Sequence, residues 1–486
     1  MGASGKMSEP LPFLLVSLAV IALYYALKFP AWRRSVLLLA NLGFLATFFP
    51  TLQTAIPFAV FLIAGYLGLC LIRWRPRAAF LPVLIATIAA FVWLKKYTFV
   101  PAGLTLHFVY VTVGLSYILF RVLHLMIDTS SGAISSGTME GVSFVSYFNY
   151  TANFTTLVSG PIQLYGDWVK TEDPAARPPL TTERTLEAME RTVRGLFKTN
   201  VLALLLSAFQ SRMLDQVASS APVNQKILPG ALSLVLYPLF IYCNFSGYID
   251  IVIGVGKLLG VTLPENFDRP FSADNIMDFW GSRWHITLSH WLRAYVFNPL
   301  LVGLTRRFPS EGIAPVLAVV SFFVTFFLIG AWHGQTTEFL FYGFLLGLGV
   351  SVNKIWQIVM TKQLGRKRYA ALSRNGSYIA FSRGLTFTWV TFTTIWFWAD
   401  WHRIRGLASA LAPRMILVWA LIFAGATVIL AVWEALQLRV ASAIGATHPV
   451  YSQCLRTALN TAAIIILIAT GILMNRPAPD IVYKAF

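Results

Sequence analysis

Two histidines lie in apolar sequence, where their side chains could transfer protons. His333 lies between two long apolar runs, in LIGAWHGQTTEFLFYG, and His285 lies in DFWGSRWHITLSHWLRAY. An ionisable residue in membrane-embedded sequence is costly and by default indicates function. Imidazole also titrates near neutral pH and suits general acid–base catalysis. The alternative is a histidine that bonds a neighbouring carbonyl group or lies at a membrane interface. Gly330 and Gly334 favour a functional His333, because glycine lets a ligand or a second backbone come close.

The residues around the histidines restrict the chemistry further. The sequence has no GxSxG elbow, and its three cysteines lie in or beside apolar segments as small buried residues do. No spacing of His, Cys or carboxylates indicates a metal site, so no metal ligand is predicted. The remaining chemistry is direct transfer, in which His333 removes the proton of an acceptor hydroxyl as its oxygen attacks an activated acyl group.

The composition is that of an integral membrane protein. Hydrophobic residues make up 57% of the 486 residues and charged residues only 12%, against about 25% charged residues in soluble domains. The net charge is +18, but the basic residues form short clusters between apolar runs, as at 73–77 and 362–368. This distribution follows the positive-inside rule and gives no basic stripe for nucleic acid, which is excluded as a partner.

The apolar runs predict a chain of membrane-spanning helices. Candidate spans lie near 11–28, 35–50, 55–72, 79–94, 107–127, 187–210, 227–253, 314–331, 339–358, 384–400, 411–433 and 456–474. The first run has no clear cleavage site after it and is interpreted as a retained helix.

Four segments interrupt this pattern. Residues 143–165 and 263–300 mix aromatic, polar, Gly and Pro residues into apolar sequence. Irregular backbone at membrane depth persists only where protein or a cavity satisfies its polar groups, so both are predicted to be re-entrant segments that line a cavity. Residues 166–185 are polar and proline-rich and predict a surface loop, and the basic residues 361–374 predict a cytoplasmic loop.

An ordered set of motifs resembles one protein family. The run GYIDIVIGVGKLLGVTLPENFDRPFSADNIMDFW is followed by RWHITLSHWLRAYVFNPL and AWHG. FTTLVSGPIQLY lies before them and WFWADWHRIRGLASAL after them. Together they resemble the membrane-bound O-acyltransferase family, in particular its bacterial branch of alginate O-acetylation and teichoic-acid D-alanylation proteins, over most of 105–410.

The resemblance implies a fold and roles for several residues. It implies one all-α polytopic membrane domain over 1–486, built as a ring of about 11–13 tilted and re-entrant helices around a central tunnel. Residues 1–100 would be N-terminal helices, 105–410 the family core, and 411–486 C-terminal helices with a short tail. His333 would be the catalytic histidine and His285 a second catalytic candidate on the tunnel wall. Asn266 of PENF and Pro161 of GPI would be structural parts of the reaction chamber.

Further residues complete the predicted substrate-binding set. Trp284 and Trp332 would help shape an acyl tunnel, although tryptophans more often form interfacial belts. Arg283 would bind a phosphate of the donor or of a lipid, or would pair with Asp278 instead. Tyr483, in the aromatic tail, would accept the acyl group as a relay, or would belong to a frayed terminus.

One carboxylate has no such predicted role. Asp250 lies inside the apolar run GYIDIVIG and is interpreted mainly as a partner for a neighbouring helix.

These observations predict a multi-pass O-acyltransferase of the bacterial inner membrane. It would hold no bound cofactor and would take an acetyl or D-alanyl-like group from a cytoplasmic thioester, either acetyl-CoA or an acyl or aminoacyl carrier protein. The acceptor would be a hydroxyl of a cell-surface polysaccharide or of a periplasmic partner protein, with membrane lipid around the chain. The alternatives are a transporter and a scaffold for a polysaccharide-modification complex.

Overall fold

The computed structural model of the protein confirms the all-α class. It describes residues 10–132, 142–172, 179–412, 414–445, 449–474 and 479. Within these ranges the regular secondary structure is helical, and β pairing is confined to a single antiparallel bridge between Phe267 and Trp284.

The helices vary from one turn to ten turns in length. In chain order they are α1 (Pro10–Ala26), α2 (Pro30–Ala46), α3 (Leu52–Trp74), α4 (Pro76–Leu94), α5 (Leu115–Ser131), α6 (Phe144–Thr151), α7 (Tyr165–Glu172), α8 (Thr182–Phe197), α9 (Ala203–Ala218), α10 (Val223–Leu258), α11 (Ile276–Asp278), α12 (Ile286–Leu292), α13 (Asn298–Arg307), α14 (Ala314–His333), α15 (Thr337–Leu372), α16 (Gly376–Thr393), α17 (Ile395–Trp398), α18 (Trp401–Leu411), α19 (Met415–Gly445) and α20 (Pro449–Met474).

Eight helical segments of the described chain are long and apolar enough to cross a bilayer. They are α3, α4, the continuous run Thr182–Ala218 that joins α8 to α9 through a π turn, α10, α14, α15, Met415–Gln437 of α19 and Leu455–Met474 of α20. The predicted spans 55–72, 79–94 and 314–331 agree with α3, α4 and α14 to within a few residues. The predicted spans 11–28 and 35–50 correspond to α1 and α2, which have 17 residues each.

One predicted loop is wrong, and a second is described only at its two ends. The basic segment 361–374 is the continuation of α15 to Leu372, because lysine and arginine favour helix as strongly as most apolar residues do. Only Gly365, at φ 77°, interrupts the helical backbone there. Of the predicted loop 166–185, residues 173–178 lie outside the described residues, and 179–181 are not helical. Helix α7 extends into it up to Glu172, and α8 begins in it at Thr182, where the Thr181 side chain accepts a hydrogen bond from the backbone N–H of Arg184.

The predicted span 107–127 also begins too early. α5 starts at Leu115, after Gly114 in the left-handed region at φ 73°. A Cβ atom on Gly114 would clash with Leu157. Glycine therefore permits both the left-handed backbone and the close approach of Leu157.

Both segments predicted to be irregular are so. Within 143–165, helix α6 ends at Thr151, and the backbone is non-helical up to Tyr165. Within 263–300, the short helices α11 and α12 alternate with π turns at Phe279–Arg283 and Arg293–Phe297. π turns are frequent at functional sites. The depth of these segments in a membrane, and the predicted ring and tunnel, stay predictions.

The described chain forms two compact units. Unit one comprises the described residues of 1–201, 244–265 and 470–486, and unit two those of 202–243 and 266–469. The single domain predicted for 1–486, with its core at 105–410, stays a prediction.

In unit one, a buried guanidinium organises the irregular segment after α6. Arg121 of α5 is 2% exposed. It donates hydrogen bonds to the carbonyl oxygens of Tyr150, Thr151 and Thr156 at 3.1, 2.9 and 3.1 Å, and to the Thr156 hydroxyl at 2.6 Å. One side chain therefore supplies donors to backbone that no helix satisfies.

Asp250 is a second polar anchor of unit one. Its carboxylate accepts hydrogen bonds from Arg191 at 3.0 Å, Arg194 at 3.2 Å and Lys198 at 2.8 Å. These three cations lie on α8 and the π turn that follows it, so the predicted bond from Asp250 to a neighbouring helix is confirmed. Three cations on a buried carboxylate stabilise its charged form and argue for a structural role.

The carbonyl contacts of Arg121 generate a stability prediction. Replacing Arg121 by Gln should lower the free energy of unfolding by roughly 2–5 kcal/mol, because each buried carbonyl left without a donor costs about 1–3 kcal/mol. The measurement is the thermal unfolding midpoint in nanodiscs, followed by tryptophan fluorescence. Arg77→Gln, at an exposed position, is the control, and equal midpoints for the two variants would contradict the assignment.

Candidate active site

His333 is the last residue of α14, where α14 comes very close to α15. A Cβ atom on Gly330 would lie 2.3 Å from backbone atoms of Gly343, and one on Gly343 would lie 2.4 Å from the carbonyl oxygen of Phe327. Gly334, just after His333, would place a Cβ atom 2.0 Å from the Phe339 ring. These glycines permit the helix contact that fixes the imidazole, as the sequence around His333 predicted.

His285 has an unusual backbone between α11 and α12. Its φ and ψ are 46° and 51°, in the left-handed region that residues with a side chain rarely adopt. Hydrogen bonds hold the peptide groups on both sides of it. Trp284 N–H donates to the Phe279 carbonyl at 2.8 Å, and Ile286 N–H donates to the Asn266 carbonyl at 3.1 Å.

A short antiparallel pairing supports this backbone. Asp268 N–H donates to the Arg283 carbonyl at 3.0 Å, and Phe267 lies opposite Trp284. The segment 266–268 therefore pairs with 283–286 and holds His285 at a defined position.

The two histidines flank one indole ring. The Trp332 ring centroid lies 6.0 Å from that of His285 and 4.8 Å from that of His333. Both histidines have 0% exposure. Phe397 and Tyr342 complete the surroundings of His333, with ring centroids at 5.1 and 5.9 Å. The structure thus brings together three predicted residues in a water-poor aromatic enclosure.

Burial determines the protonation state of His285. The enclosure disfavours the imidazolium and lowers the pKa of His285 to about 3. The imidazole is therefore neutral at physiological pH, as a proton acceptor must be.

Asn266 lies on the paired segment, next to the two residues that follow His285. It has 0% exposure. Its side-chain oxygen Oδ1 accepts hydrogen bonds from the backbone N–H and the hydroxyl of Thr287, at 3.1 and 2.9 Å. These bonds give Asn266 a part in the local structure, and its place in a reaction chamber stays a prediction.

The remaining predicted residues are placed differently. Trp284 stacks on Phe279 at 5.4 Å, so its ring supports the backbone before His285. Arg283 pairs with Asp278 at 2.6 Å, which is the alternative considered for it, and its binding of substrate stays a prediction. Tyr483 lies outside the described residues. Pro161 belongs to unit one, whereas the histidines belong to unit two.

The sequence analysis missed Tyr342, Phe397 and Arg383. Tyr342 and Phe397 are ordinary aromatic residues in apolar runs, and nothing in the sequence distinguishes them. Arg383 is a charged residue in the apolar run of α16, which is a signal of function or pairing. It is 8% exposed and pairs with Asp274 and Glu434.

A cavity of about 180 Å³ lies in unit two. Its lining is mostly apolar and includes Trp280, Leu292, Phe326 and Ile329, with Arg293 as a charged member. The cavity does not include the histidines. Ile329, however, precedes His333 by one helical turn on the same face of α14, so the cavity is aligned with the enclosure along that helix.

The arrangement suits proton transfer. Within the described ranges, no three His, Cys, Asp or Glu side chains are grouped so that they could hold a metal ion. The enclosure instead offers neutral imidazole in a setting of low polarity, where hydrogen bonds and developing charges interact strongly.

Comparison with known proteins gives consistent matches. The sequence model of the membrane-bound O-acyltransferase family matches residues 79–382, more than half of the chain. The chain is 28% identical to a teichoic acid D-alanyltransferase of Bacillus subtilis over 48% of its length and 56% of that protein. It is 27% identical to a probable alginate O-acetylase of Pseudomonas fluorescens, over 70% and 65%.

A third relative is a peptidoglycan O-acetyltransferase of Helicobacter pylori, 29% identical over 44% of this chain and 38% of that protein. In all three comparisons the match covers less than two thirds of the relative's own length.

The contact between α14 and α15 generates a prediction. Gly330→Ala should reduce both the thermal midpoint and the yield of monodisperse protein, because the backbone of Gly343 cannot yield to a Cβ atom. Gly303→Ala, in helix α13 with open space around it, is the matched control and should be neutral or stabilising by up to about 1 kcal/mol. Size-exclusion profiles and midpoints in detergent would decide, and equal behaviour of the two variants would refute the close contact.

Proposed function

The chain belongs to the membrane-bound O-acyltransferase family and is a multi-pass membrane protein. From that premise we propose that it transfers an acyl group from a thioester donor to a hydroxyl group, with His333 as the general base. The single observation that carries this proposal is the pair of fully buried histidines around the Trp332 ring.

In the proposed reaction His333 carries the proton transfers. His333 takes the proton of the acceptor hydroxyl while the hydroxyl oxygen forms a bond to the thioester carbonyl carbon. The carbon–sulfur bond then breaks, and the proton passes from the imidazolium to the departing sulfur, which leaves as a thiol. The products are an ester and a free thiol, and His333 returns to its neutral state. General-base help of this kind contributes about 10²- to 10⁴-fold in rate.

His285 is proposed to hold the reactants rather than to take a second proton. Its fixed backbone and its position across the Trp332 ring give one defined orientation to its imidazole. A neutral ring in that orientation can donate one hydrogen bond and accept another, which suits the alignment of an acceptor hydroxyl.

The donor and the acceptor are proposed from the relatives. Their names describe transfer of acetyl or D-alanyl groups to alginate, peptidoglycan or teichoic acid. For this chain we propose a cytoplasmic acetyl-CoA or acyl or aminoacyl carrier protein as donor, and a cell-surface polysaccharide or a periplasmic partner protein as acceptor. The inner membrane of a bacterium would then be its location.

The apolar cavity gives the donor a possible approach to the enclosure. It lies one helical turn before His333 along α14, and its lining accepts an uncharged chain at little cost. Arg293 at this cavity offers a cation for the phosphate of a donor.

The role of His333 generates the central prediction. His333→Ala should reduce acyl transfer by about 10²- to 10⁴-fold, because the acceptor oxygen then attacks while still protonated. Purified protein in nanodiscs would receive radiolabelled acetyl-CoA or an acylated carrier protein, with alginate oligosaccharide or teichoic acid as the acceptor. Release of thiol and label on the acceptor would be measured together.

The matched control is His402→Ala, since His402 is an exposed histidine of α18. It should transfer at the wild-type rate. Equal rates for wild type and His333→Ala with an active donor would refute His333 as the base.

A further inference from the structure

The two polar atoms of the Asn266 side-chain amide, Oδ1 and Nδ2, differ in their hydrogen bonding. Oδ1 accepts two hydrogen bonds from Thr287. In the described part of the chain, Nδ2 has no hydrogen-bond partner although it is fully buried. Most buried polar atoms in proteins are paired, so a buried amide donor of this kind calls for an explanation.

The orientation of this amide is determined by its neighbours. A backbone N–H can only donate, so the side-chain atom that faces Thr287 N–H at 3.1 Å must be an acceptor. Exchanging Oδ1 and Nδ2 would place two donors against each other. Nδ2 is therefore held with both hydrogens away from Thr287.

The position of Asn266 connects this donor to the candidate active site. Its own carbonyl oxygen accepts the N–H of Ile286, the residue after His285. The side chain and the main chain of Asn266 therefore bind the two residues that follow His285. Asn266, His285 and His333 all belong to unit two, and each has 0% exposure.

The proposed reaction requires a donor of this kind. As the acceptor oxygen bonds to the thioester carbon, negative charge develops on the carbonyl oxygen, and a fixed donor in a water-poor site stabilises it. Resting on the proposed function, we infer that Nδ2 of Asn266 donates a hydrogen bond to that carbonyl oxygen and is a catalytic group. The donor stays unsatisfied until the thioester enters, so its hydrogen bond is gained only when substrate is bound and strengthens in the transition state.

Two variants of Asn266 test the inference, and a third variant, at Thr287, serves as the control. Asn266→Ala removes the donor and should lower kcat by about 10²- to 10³-fold with a small change in KM. Asn266→Asp keeps the shape and the acceptor for Thr287, and its ionised carboxylate offers no donor, so kcat should fall comparably at a pH at which that carboxylate is ionised. Thr287→Val removes one of the two bonds to Oδ1 and leaves the donor in place, so it should retain most of the activity.

A change in the substrate gives a readout that a structural role would not move. Replacing the carbonyl oxygen of the donor thioester by sulfur gives a dithioester, whose sulfur is a poor hydrogen-bond acceptor. Wild type should show a larger ratio of kcat for the thioester over the dithioester than Asn266→Ala or Asn266→Asp does. An unchanged ratio in both variants would overturn the inference, as would wild-type kcat in either of them.

Failure of this inference differs from failure of the proposed function. Activity that disappears in His333→Ala but persists in both Asn266 variants would overturn the inference alone. Activity that persists in His333→Ala would overturn the role of His333, whatever the Asn266 variants do. If Asn266→Ala does not give folded protein, Asn266→Asp carries the test by itself.

Discussion

Backbone N–H and carbonyl groups that no helix satisfies must find other partners within the protein, and this constraint organises both units. Each unsatisfied group costs several kcal/mol in an apolar environment. In unit two the pairing of 266–268 with 283–286 provides such partners and holds His285 in the left-handed region. Without those hydrogen bonds the chain between α11 and α12 would relax, and the imidazole would lose its defined position.

In unit one, charged side chains supply hydrogen-bond partners. The Arg121 guanidinium binds the carbonyl groups of Tyr150 and Thr151 at the end of α6 and that of Thr156 in the irregular chain after it. Asp250 binds three cations of the preceding helical run. Buried charges of this kind persist only when their hydrogen-bonding capacity is used, and both groups use it on structural elements rather than on a ligand.

The candidate active site combines fixed backbone with an enclosure of low polarity. Glycines at 330, 334 and 343 bring α14 against α15 and place His333 at the end of a rigid helix. The Trp332 ring contacts both imidazoles, with ring centroids 6.0 Å from His285 and 4.8 Å from His333. A group that is held in one orientation, away from water, acts on a bound substrate without the cost of reorganisation during the reaction.

The sequence by itself determined the membrane class, the helical fold and the two irregular segments, and it singled out His333 and His285 as candidates. Those features depend on local composition, because apolar length and a misplaced ionisable residue are visible in the residues themselves. The helical state of 361–374 was not visible, since charge predicts exposure but not backbone conformation. Only the tertiary structure decided that Arg283 pairs with Asp278 and that Tyr342 and Phe397 surround His333. It also decided which atom of the Asn266 amide accepts hydrogen bonds from Thr287. The sequence left two alternatives open for Arg283, and the other contacts join residues that lie in different elements, so no local pattern encodes them.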